Sequence, residues 1–101
     1  MWRMKNNEKI YTVITTAKYK KSYRKMVKRG VDIRTLDKVV KKLSYGKQLG
    51  FKYHDHILKG KYSGFHECHL MPDWLLIYKI EDDILILTLI DTGSHADLFD
   101  M

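Results

Sequence analysis

The five histidines are the residues of this chain best suited to chemistry, and most of them are close together in the sequence. They are His54, His56, His66, His69 and His95. A histidine side chain titrates near pH 6.5, so it can give or take a proton at neutral pH. RNA cleavage needs such groups, because one removes the 2′-hydroxyl proton and another protonates the departing 5′-oxygen. A cation that stabilises the phosphate completes this chemistry, which then requires no metal ion.

The overall charge indicates what kind of partner such a site would meet. The chain has 19 lysines and arginines against 12 acidic residues, a formal net charge of +7. An excess of this size favours a polyanionic partner such as nucleic acid. The alternative is that the lysines serve only solubility. Together with the clustered histidines, the charge favours acid-base cleavage of RNA.

Zinc binding is the competing interpretation of the same residues. The potential ligands are His54, His56, His66, Cys68 and His69. In a strand, His66 and Cys68 would lie on one face and His69 on the other. The spacing also differs from the helical H-E-x-x-H pattern of zinc enzymes. The sequence therefore favours a site without metal or other cofactor, and a lone cysteine in a strand is typical of a small buried hydrophobic residue.

Length and composition predict one domain over residues 1–101 with a modest core, because 45% of the 101 residues are hydrophobic. The single cysteine, Cys68, rules out an internal disulfide and is typical of a reducing cytosol. The first eight residues include no apolar stretch of the kind a secretory signal needs. The apolar runs are shorter than the roughly 20 residues of a membrane-spanning helix. We therefore expect a cytoplasmic protein that makes no membrane contact.

The first half of the chain predicts a strand followed by two helices. Residues 10–15 are rich in β-branched and aromatic side chains, which favours a strand. From Ala17 the apolar residues follow helical spacing with a basic outer face, and Gly30 is a plausible stop. Asp32 can cap a second amphipathic helix that ends near Gly46. The short connection predicts an antiparallel helical hairpin.

The second half predicts three antiparallel strands that would position the histidines. Residues 47–60 lack periodicity and are expected to form an ordered loop, and residues 62–70 a strand. Residues 74–80 and 84–90 read as the two strands of a hairpin with an acidic turn between them. The hairpin would bring Asp73 close to His95. The fold class expected is α+β, with the three-stranded meander packed on the two helices.

Four motifs occur in order through the second half of the chain and resemble the YafQ branch of the RelE/ParE superfamily of toxins. They are DHILKG at 55–60, GFHECH at 64–69, PDWLLIYK at 72–79 and TGSHADLF at 92–99. The strand-helix-helix start matches more loosely. The resemblance implies a RelE-like fold. It also implies a toxin of a type II toxin-antitoxin system that cleaves messenger RNA in the ribosomal A site.

The resemblance also assigns expected roles to four matching residues in the site. His95 would be the acid that protonates the 5′-oxygen, and His56 and Asp73 are both candidates for the base. His69 would act as the base or orient the phosphate. A simpler alternative stays open for His69 as a hydrogen-bonded strand residue and for Asp73 as a turn former after proline.

Substrate contacts and partners follow from the same resemblance. The residues expected to contact the substrate are Lys59, Lys61, Trp74, Asp91 and Phe99. Trp74 and Phe99 would stack on bases, with packing in the core or at its rim as the alternative. The expected partners are an acidic cognate antitoxin, messenger RNA and the ribosome with its ribosomal RNA. Any contact with operator DNA would occur only through the antitoxin.

The chain departs from the family pattern at two arginine positions. Asp91 stands where family members usually have an arginine, and His66 replaces a second one. An arginine at position 91 would stabilise charge on the phosphate, whereas an aspartate repels it. Lys59 or Lys61 would have to supply the missing charge. The sequence therefore predicts weak cleavage that Asp91→Arg raises, and leaves open a noncatalytic antitoxin-binding module or a general RNA-binding protein.

Overall fold

The computed structural model describes residues 9–99 and shows one mixed sheet with helices on both of its faces. The helices are α1 (Ala17–Lys28), α2 (Ile33–Ser44) and α3 (His95–Phe99). The strands are β1 (Thr12–Thr15), β2 (His56–Ile57), β3 (His66–Met71), β4 (Trp74–Glu81) and β5 (Ile86–Gly93). The helices found among residues 9–99 are too short or too polar to cross a membrane.

The two long helices begin and end where the sequence predicts. The side chain of Thr16 accepts a hydrogen bond from the Tyr19 N–H at the start of α1, and Asp32 does the same for Arg34 at the start of α2. Gly30 has a φ of +85°, the left-handed conformation that a glycine adopts at little cost. The connection between the helices is short, and the Tyr23 hydroxyl in α1 donates to Asp37 in α2 at 3.1 Å.

The strands are ordered β1-β5-β4-β3-β2 across the sheet. The neighbours β2, β3, β4 and β5 are antiparallel, which confirms the predicted meander and adds β2 at its edge. β1 pairs in parallel with β5, with Thr12 opposite Ile86. The α+β fold class expected from the sequence is confirmed, with β1 and β2 as the two edge strands.

Both faces of the central strand β4 are buried, because each is covered by a separate group of apolar side chains. On one face, Leu76 and Tyr78 pack with Leu36, Met26 and other residues of α1 and α2. On the other face, Leu75 and Ile77 pack with Tyr62 and with Leu98 of α3. Tyr19 and Met26 of α1 are buried and pack in the first of these groups.

Several predicted boundaries differ from the observed ones, among them the start of β1 at Thr12 and the end of β5 at Gly93. The strand expected over residues 62–70 begins at His66, because Gly60–Tyr62 forms a 3-10 turn and Gly64 takes a φ of +87°. The stretch expected to be a loop contains a second 3-10 turn, Phe51–Tyr53, and the strand β2. The last strand begins at Ile86, since Leu85 has a φ of +53° and belongs to the turn.

Candidate active site

Three of the histidines singled out by the sequence lie side by side at one edge of the structure. The ring centroids of His56 and His69 are 6.2 Å apart, and those of His69 and His95 are 5.9 Å apart. His69 therefore stands in the middle of a row of imidazoles that come from β2, β3 and the start of α3. The His54 ring lies 5.6 Å from the His69 ring and joins the same row. The fold brings His95 and the two segments that carry the other histidines together at this edge.

A buried carboxylate lies between two of these rings. Glu67 is 5% exposed, and its Oε1 lies 3.2 Å from His56 Nε2 and 3.4 Å from His69 Nε2. The sheet explains this placement, because Glu67 pairs with His56 across the ladder and lies on the same face as His69 two positions later. The Glu67 carboxylate can therefore accept a hydrogen bond from either imidazole.

The other ring nitrogen of His56 is held by the backbone. Nδ1 lies 2.7 Å from the carbonyl oxygen of His54 and can donate a hydrogen bond to it. His54 presents this oxygen from a left-handed conformation with a φ of +49°. Such a conformation is uncommon for a residue with a side chain, although histidine is among those that adopt it more often. The turn before β2 therefore fixes the orientation of His56 and leaves its Nε2 facing Glu67.

Asp73 and His95 form the second part of the site. Asp73 Oδ1 lies 2.6 Å from His95 Nδ1 and accepts a hydrogen bond from the His95 backbone N–H at 2.9 Å. The hydrogen bonds from the His95 backbone and ring lower the pKa of Asp73 from its ordinary value. Asp73 follows Pro72 in the tight turn between β3 and β4. The turn and the start of α3 therefore meet, as the predicted hairpin requires.

The start of α3 is held in place by Asp97. Ser94 and Asp97 form a reciprocal cap, in which the Ser94 N–H donates to Asp97 Oδ2 at 2.9 Å and the Asp97 N–H donates to Ser94 Oγ at 3.1 Å. Arg29 of α1 adds two hydrogen bonds to the same carboxylate, at 2.6 and 3.0 Å. A Cβ at Gly93 would lie 2.9 Å from the Asp97 side chain, so glycine allows this close approach. The cap and the ion pair together fix the helix that begins with His95.

The residues expected to stack on bases are placed for packing. Trp74 is 4% exposed, packs on the face covered by α1 and α2, and donates its indole N–H to Thr92 Oγ1 at 3.0 Å. Phe99 is half-buried, and its ring centroid lies 5.8 Å from that of Tyr62. A base cannot stack on the buried Trp74 ring in this conformation. The structure thus favours the packing alternative for Trp74, and Phe99 belongs to the cluster on the opposite face.

The two lysines expected to contact the substrate are exposed on the segment between β2 and β3. Lys61 extends its Nζ over the ring of Tyr62, 5.4 Å from the centroid. Lys59 lies just before the Gly60–Tyr62 turn. Their roles in substrate binding stay predictions, because no contact joins either of them to the histidine row within the described part of the chain.

Asp91, which was expected to face the substrate, is instead bound to α1. It is 2% exposed, and its Oδ1 accepts hydrogen bonds from Ser22 Oγ at 2.6 Å and from the Thr92 N–H at 2.9 Å. Its Oδ2 lies 3.6 Å from Lys18 Nζ. Asp91 therefore ties β5 to α1. This corrects the expectation that its carboxylate is available to a phosphate, because every oxygen already has a partner.

Two residues discussed as ligands or nucleophiles lie on the other face of β3. Cys68 is fully buried, and burial raises the pKa of its thiol far above the ordinary value, which confirms the interpretation as a small buried hydrophobic residue. His66 stacks on Tyr78 with ring centroids 5.0 Å apart and lies 3.6 Å from Asp55. Within residues 9–99, no three histidine, cysteine or acidic side chains are arranged to hold a metal ion.

Sequence reasoning missed two members of the site, Glu67 and His54. The signal for Glu67 was present, because alternation along β3 puts positions 67 and 69 on one face and 66 and 68 on the other. His54 is exposed. Its closeness to His69 depends on the turn at Phe51–Tyr53, for which the sequence has no periodic signal.

Comparison with known proteins gives one consistent result. A model of the family described as "Bacterial toxin of type II toxin-antitoxin system, YafQ" matches residues 11–100. The mRNA interferase toxin YafQ of Escherichia coli K12 is 47% identical over 47 residues, which are 46% of this chain and 49% of that protein. The match thus spans about half the length of this curated relative.

Solved structures extend the similarity over most of the chain. A metal-bound toxin from Helicobacter pylori has a TM-score of 0.83 at 43% identity, with 89% of this chain and 100% of that chain covered. The E. coli DinJ-YafQ toxin-antitoxin complex has a TM-score of 0.81 at 33% identity, with 88% of this chain and 97% of that chain covered.

Proposed function

Because the chain belongs to the YafQ family of toxins of bacterial type II toxin-antitoxin systems, we propose that it is an endoribonuclease that cleaves messenger RNA in the ribosomal A site. The E. coli relative is named an mRNA interferase toxin, which supports RNA as the substrate. The observation that carries the proposal is the row of His56, His69 and His95, with one carboxylate between the first two rings and another beside the last. Acid and base catalysis of phosphodiester cleavage needs groups of this kind on both sides of one phosphate.

His95 is the acid of the proposed reaction. Asp73 accepts from Nδ1, so the ring presents Nε2 to the departing 5′-oxygen and can deliver a proton from it. Asp73 is then a positioning residue, since its carboxylate is engaged with the ring and the backbone of His95. Asp73 was one of the two residues expected to act as the base, and we replace that role with positioning of His95.

The base of the proposed reaction comes from the other end of the row. Both ring nitrogens of His56 are engaged, one by the His54 carbonyl and one by Glu67, so His69 takes the proton from the 2′-hydroxyl through Nδ1. The carboxylate of Glu67 beside His69 Nε2 stabilises the imidazolium that forms. His69 lies between His56 and His95 and is therefore placed to contact the phosphate itself. The attack forms the bond from the 2′-oxygen to phosphorus as the bond to the 5′-oxygen breaks.

The proposed partners are a cognate antitoxin and the ribosome with its messenger. The E. coli relative in the DinJ-YafQ structure is bound to an antitoxin, which supports a protein partner for this chain as well. With a net charge of +7, complementary acidic groups on the antitoxin would speed association. Contact with operator DNA would be made through the antitoxin. A substrate on translating ribosomes also places the protein in the cytoplasm.

We propose that the chemistry needs no metal ion, although the H. pylori toxin is described as metal-bound. Imidazole and carboxylate groups supply both proton transfers, and lysines supply the positive charge. Cleavage should therefore persist when the protein is stripped of metal with EDTA, desalted and added to ribosomes kept in magnesium. A loss of activity in the stripped protein that a transition metal restores would contradict this part of the proposal.

A second function, an antitoxin-binding module with little or no catalysis, is favoured by Asp91. The aspartate occupies a position where the family pattern has arginine, and its buried carboxylate offers no charge to the phosphate. Such a protein would bind antitoxin and ribosome without cleaving the message.

Translation in a cell-free extract, followed by primer extension on the message, tests the two functions. The proposed endoribonuclease gives discrete cuts at A-site codons that disappear in His95→Ala. A noncatalytic module gives none, although it binds antitoxin tightly. Asp83→Asn, in the turn between β4 and β5, is the control and should cut as the unchanged protein does.

A further inference from the structure

Phe51 is the most exposed of the large hydrophobic side chains among residues 9–99, with 94% of its surface accessible. It begins the 3-10 turn Phe51–Tyr53, which is held by hydrogen bonds from the Tyr53 N–H to Gly50 and from the His54 N–H to Phe51. Tyr53 packs against the core, whereas the Phe51 ring does not contribute to it. The turn therefore presents an aromatic ring to the surroundings on a fixed backbone.

The turn adjoins the histidine row. The Phe51 ring centroid lies 6.2 Å from that of His54, which in turn lies 5.6 Å from that of His69. Phe51, His54 and His56 line a cavity of about 400 Å³ on one side of the turn. On the other side, His54 and His69 line a cavity of about 610 Å³. Both cavities thus open beside groups to which the proposed reaction assigns a role.

The larger cavity is lined by positive charge. Lys38 of α2 and Lys52 of the turn both line it, together with Tyr53. Lys52 Nζ also lies 5.2 Å from the centre of the Tyr53 ring. The one carboxylate at the smaller cavity, Asp55, is engaged by the Tyr78 hydroxyl at 2.7 Å. Exposed aromatic faces next to lysines are the combination that binds single-stranded nucleic acid, because bases stack and phosphates pair with the cations.

We propose that Phe51 stacks on the base of a nucleotide flanking the scissile phosphate, while Lys38 and Lys52 contact the RNA backbone in the adjoining cavity. The inference rests on the proposed function and adds a substrate subsite to it. Phe51 thereby takes the stacking role that the burial of Trp74 removes from that residue. The row of rings from Phe51 to His95 becomes one continuous surface for an extended strand.

Single-turnover cleavage on programmed ribosomes tests the subsite with three substitutions of Phe51. Phe51→Tyr keeps the aromatic face and should stay within about twofold of the unchanged protein. Phe51→Ala and Phe51→Leu should raise the toxin concentration at half-maximal rate by about five- to a hundredfold, the range seen when a stacked ring is lost. Tyr45→Leu, at an exposed aromatic residue that caps the C-terminal end of α2, is the matched control and should change nothing.

Two patterns of cleavage would overturn the proposal. If all three Phe51 variants cleave like the unchanged protein, no base stacks on this ring. If Phe51→Leu matches it and only Phe51→Ala weakens, the residue contacts an apolar protein surface. If the unchanged protein does not cleave at all, the proposed endoribonuclease function is wrong, and the stacking proposal is then tested by binding. Fluorescence anisotropy measures the affinity for a labelled oligoribonucleotide. Lower affinity in the alanine and leucine variants supports stacking, whereas equal affinity in all variants overturns it.

Discussion

Asp73 holds His95 at two points, through the ring Nδ1 at 2.6 Å and through the backbone N–H at 2.9 Å. One carboxylate thereby fixes both the orientation of the imidazole and the first turn of α3. It also selects the tautomer, because an Nδ1 that donates to Asp73 leaves Nε2 for the substrate. The link joins the turn after β3 to the end of β5, so the acid of the proposed reaction depends on the sheet register.

Asp73→Asn should reduce the single-turnover cleavage rate by about tenfold to a hundredfold. The toxin concentration at half-maximal rate should change little. The amide carries no charge to hold the Nδ1 proton of His95. The hydrogen bonds from the His95 backbone and ring lower the pKa of Asp73 below its ordinary value, so this group is ionised in the unchanged protein at neutral pH. The difference between the two proteins should therefore persist across pH 5 to 8.

The matched control for this change is Asp83→Asn, in the exposed turn before β5. It removes the same charge from the protein without touching His95. Equal rates in Asp73→Asn and the unchanged protein would show that His95 is oriented by other contacts.

Glu67→Gln should slow cleavage by about a hundredfold while the protein stays folded. The glutamine has the size of the glutamate but cannot accept a proton from His56 or His69, which Glu67 contacts at 3.2 and 3.4 Å. The free energy of unfolding should change by only about 1 kcal/mol, because a neutral amide is easier to bury than a carboxylate. Rates come from primer extension and stability from urea titration.

Glu81→Gln is the control for Glu67, since Glu81 is partly exposed and its nearest cation, Lys79, is 3.9 Å away. Retention of full activity in Glu67→Gln would remove the shared carboxylate from the mechanism. The proton from the 2′-hydroxyl would then have to leave through His56 or His69 unaided.

Asp97→Asn should lower the free energy of unfolding at pH 7 by about 1 to 3 kcal/mol. Arg29 donates two hydrogen bonds to this carboxylate, and they lower its pKa well below the ordinary value, with a smaller contribution from Ser94. A depressed pKa stabilises the fold above the pKa of the unfolded chain, about 4, and the contribution is lost as pH falls toward the folded value. The difference between the proteins should shrink below about pH 4.

Urea titrations at pH 7 and at pH 3 measure this effect. Asp83→Asn is again the matched control, and its free energy of unfolding should differ from that of the unchanged protein by the same amount at both pH values. A constant difference between Asp97→Asn and the unchanged protein at both pH values would mean that the ion pair with Arg29 does not stabilise the fold.

Asp91→Arg alone should destabilise the protein by about 2 to 4 kcal/mol. The substitution would put a second cation beside Lys18 and remove the acceptor that binds Ser22 at 2.6 Å. Adding Lys18→Glu should restore part of the stability, because an acid then faces the arginine. The increase in cleavage that the family pattern predicts for Asp91→Arg is best sought in this double variant.

Thermal unfolding and primer extension together evaluate the Asp91 variants. Asp91→Asn is the milder comparison, as it keeps the size and one acceptor oxygen. If Asp91→Arg is as stable as the unchanged protein, the contact of β5 with α1 is not held by this carboxylate.

Local signals in the sequence predict most of the elements. Thr16, Gly30 and Asp32 mark the ends of the two long helices through side-chain capping and backbone freedom, and both signals act over a few residues. The hairpin of β4 and β5 follows from two apolar runs with polar residues between them. Such features need no knowledge of distant parts of the chain, which is why they were predicted well.

The rest depends on distant contacts. β2 has only two residues and no alternation of its own, so its pairing with Glu67 depends on β3 already being in place. The contacts of Asp91 are made with Lys18 and Ser22, which lie about 70 positions earlier in the chain. The position of Asp91 in the motif had suggested contact with a phosphate instead. The sequence identified nearly all the residues of the site by their type. It did not predict which residues they contact, because those contacts depend on the packing of elements far apart in sequence.

The parallel pairing of β1 with β5 also bears on how the toxin is made. Thr12 lies opposite Ile86, so this ladder closes only after the segment as far as Leu89 has been synthesised and has left the exit tunnel. His95 comes later still and is held by Asp73 through the same strand end. A nascent chain therefore lacks the finished centre until His95 has been made and β5 has paired with both β1 and β4.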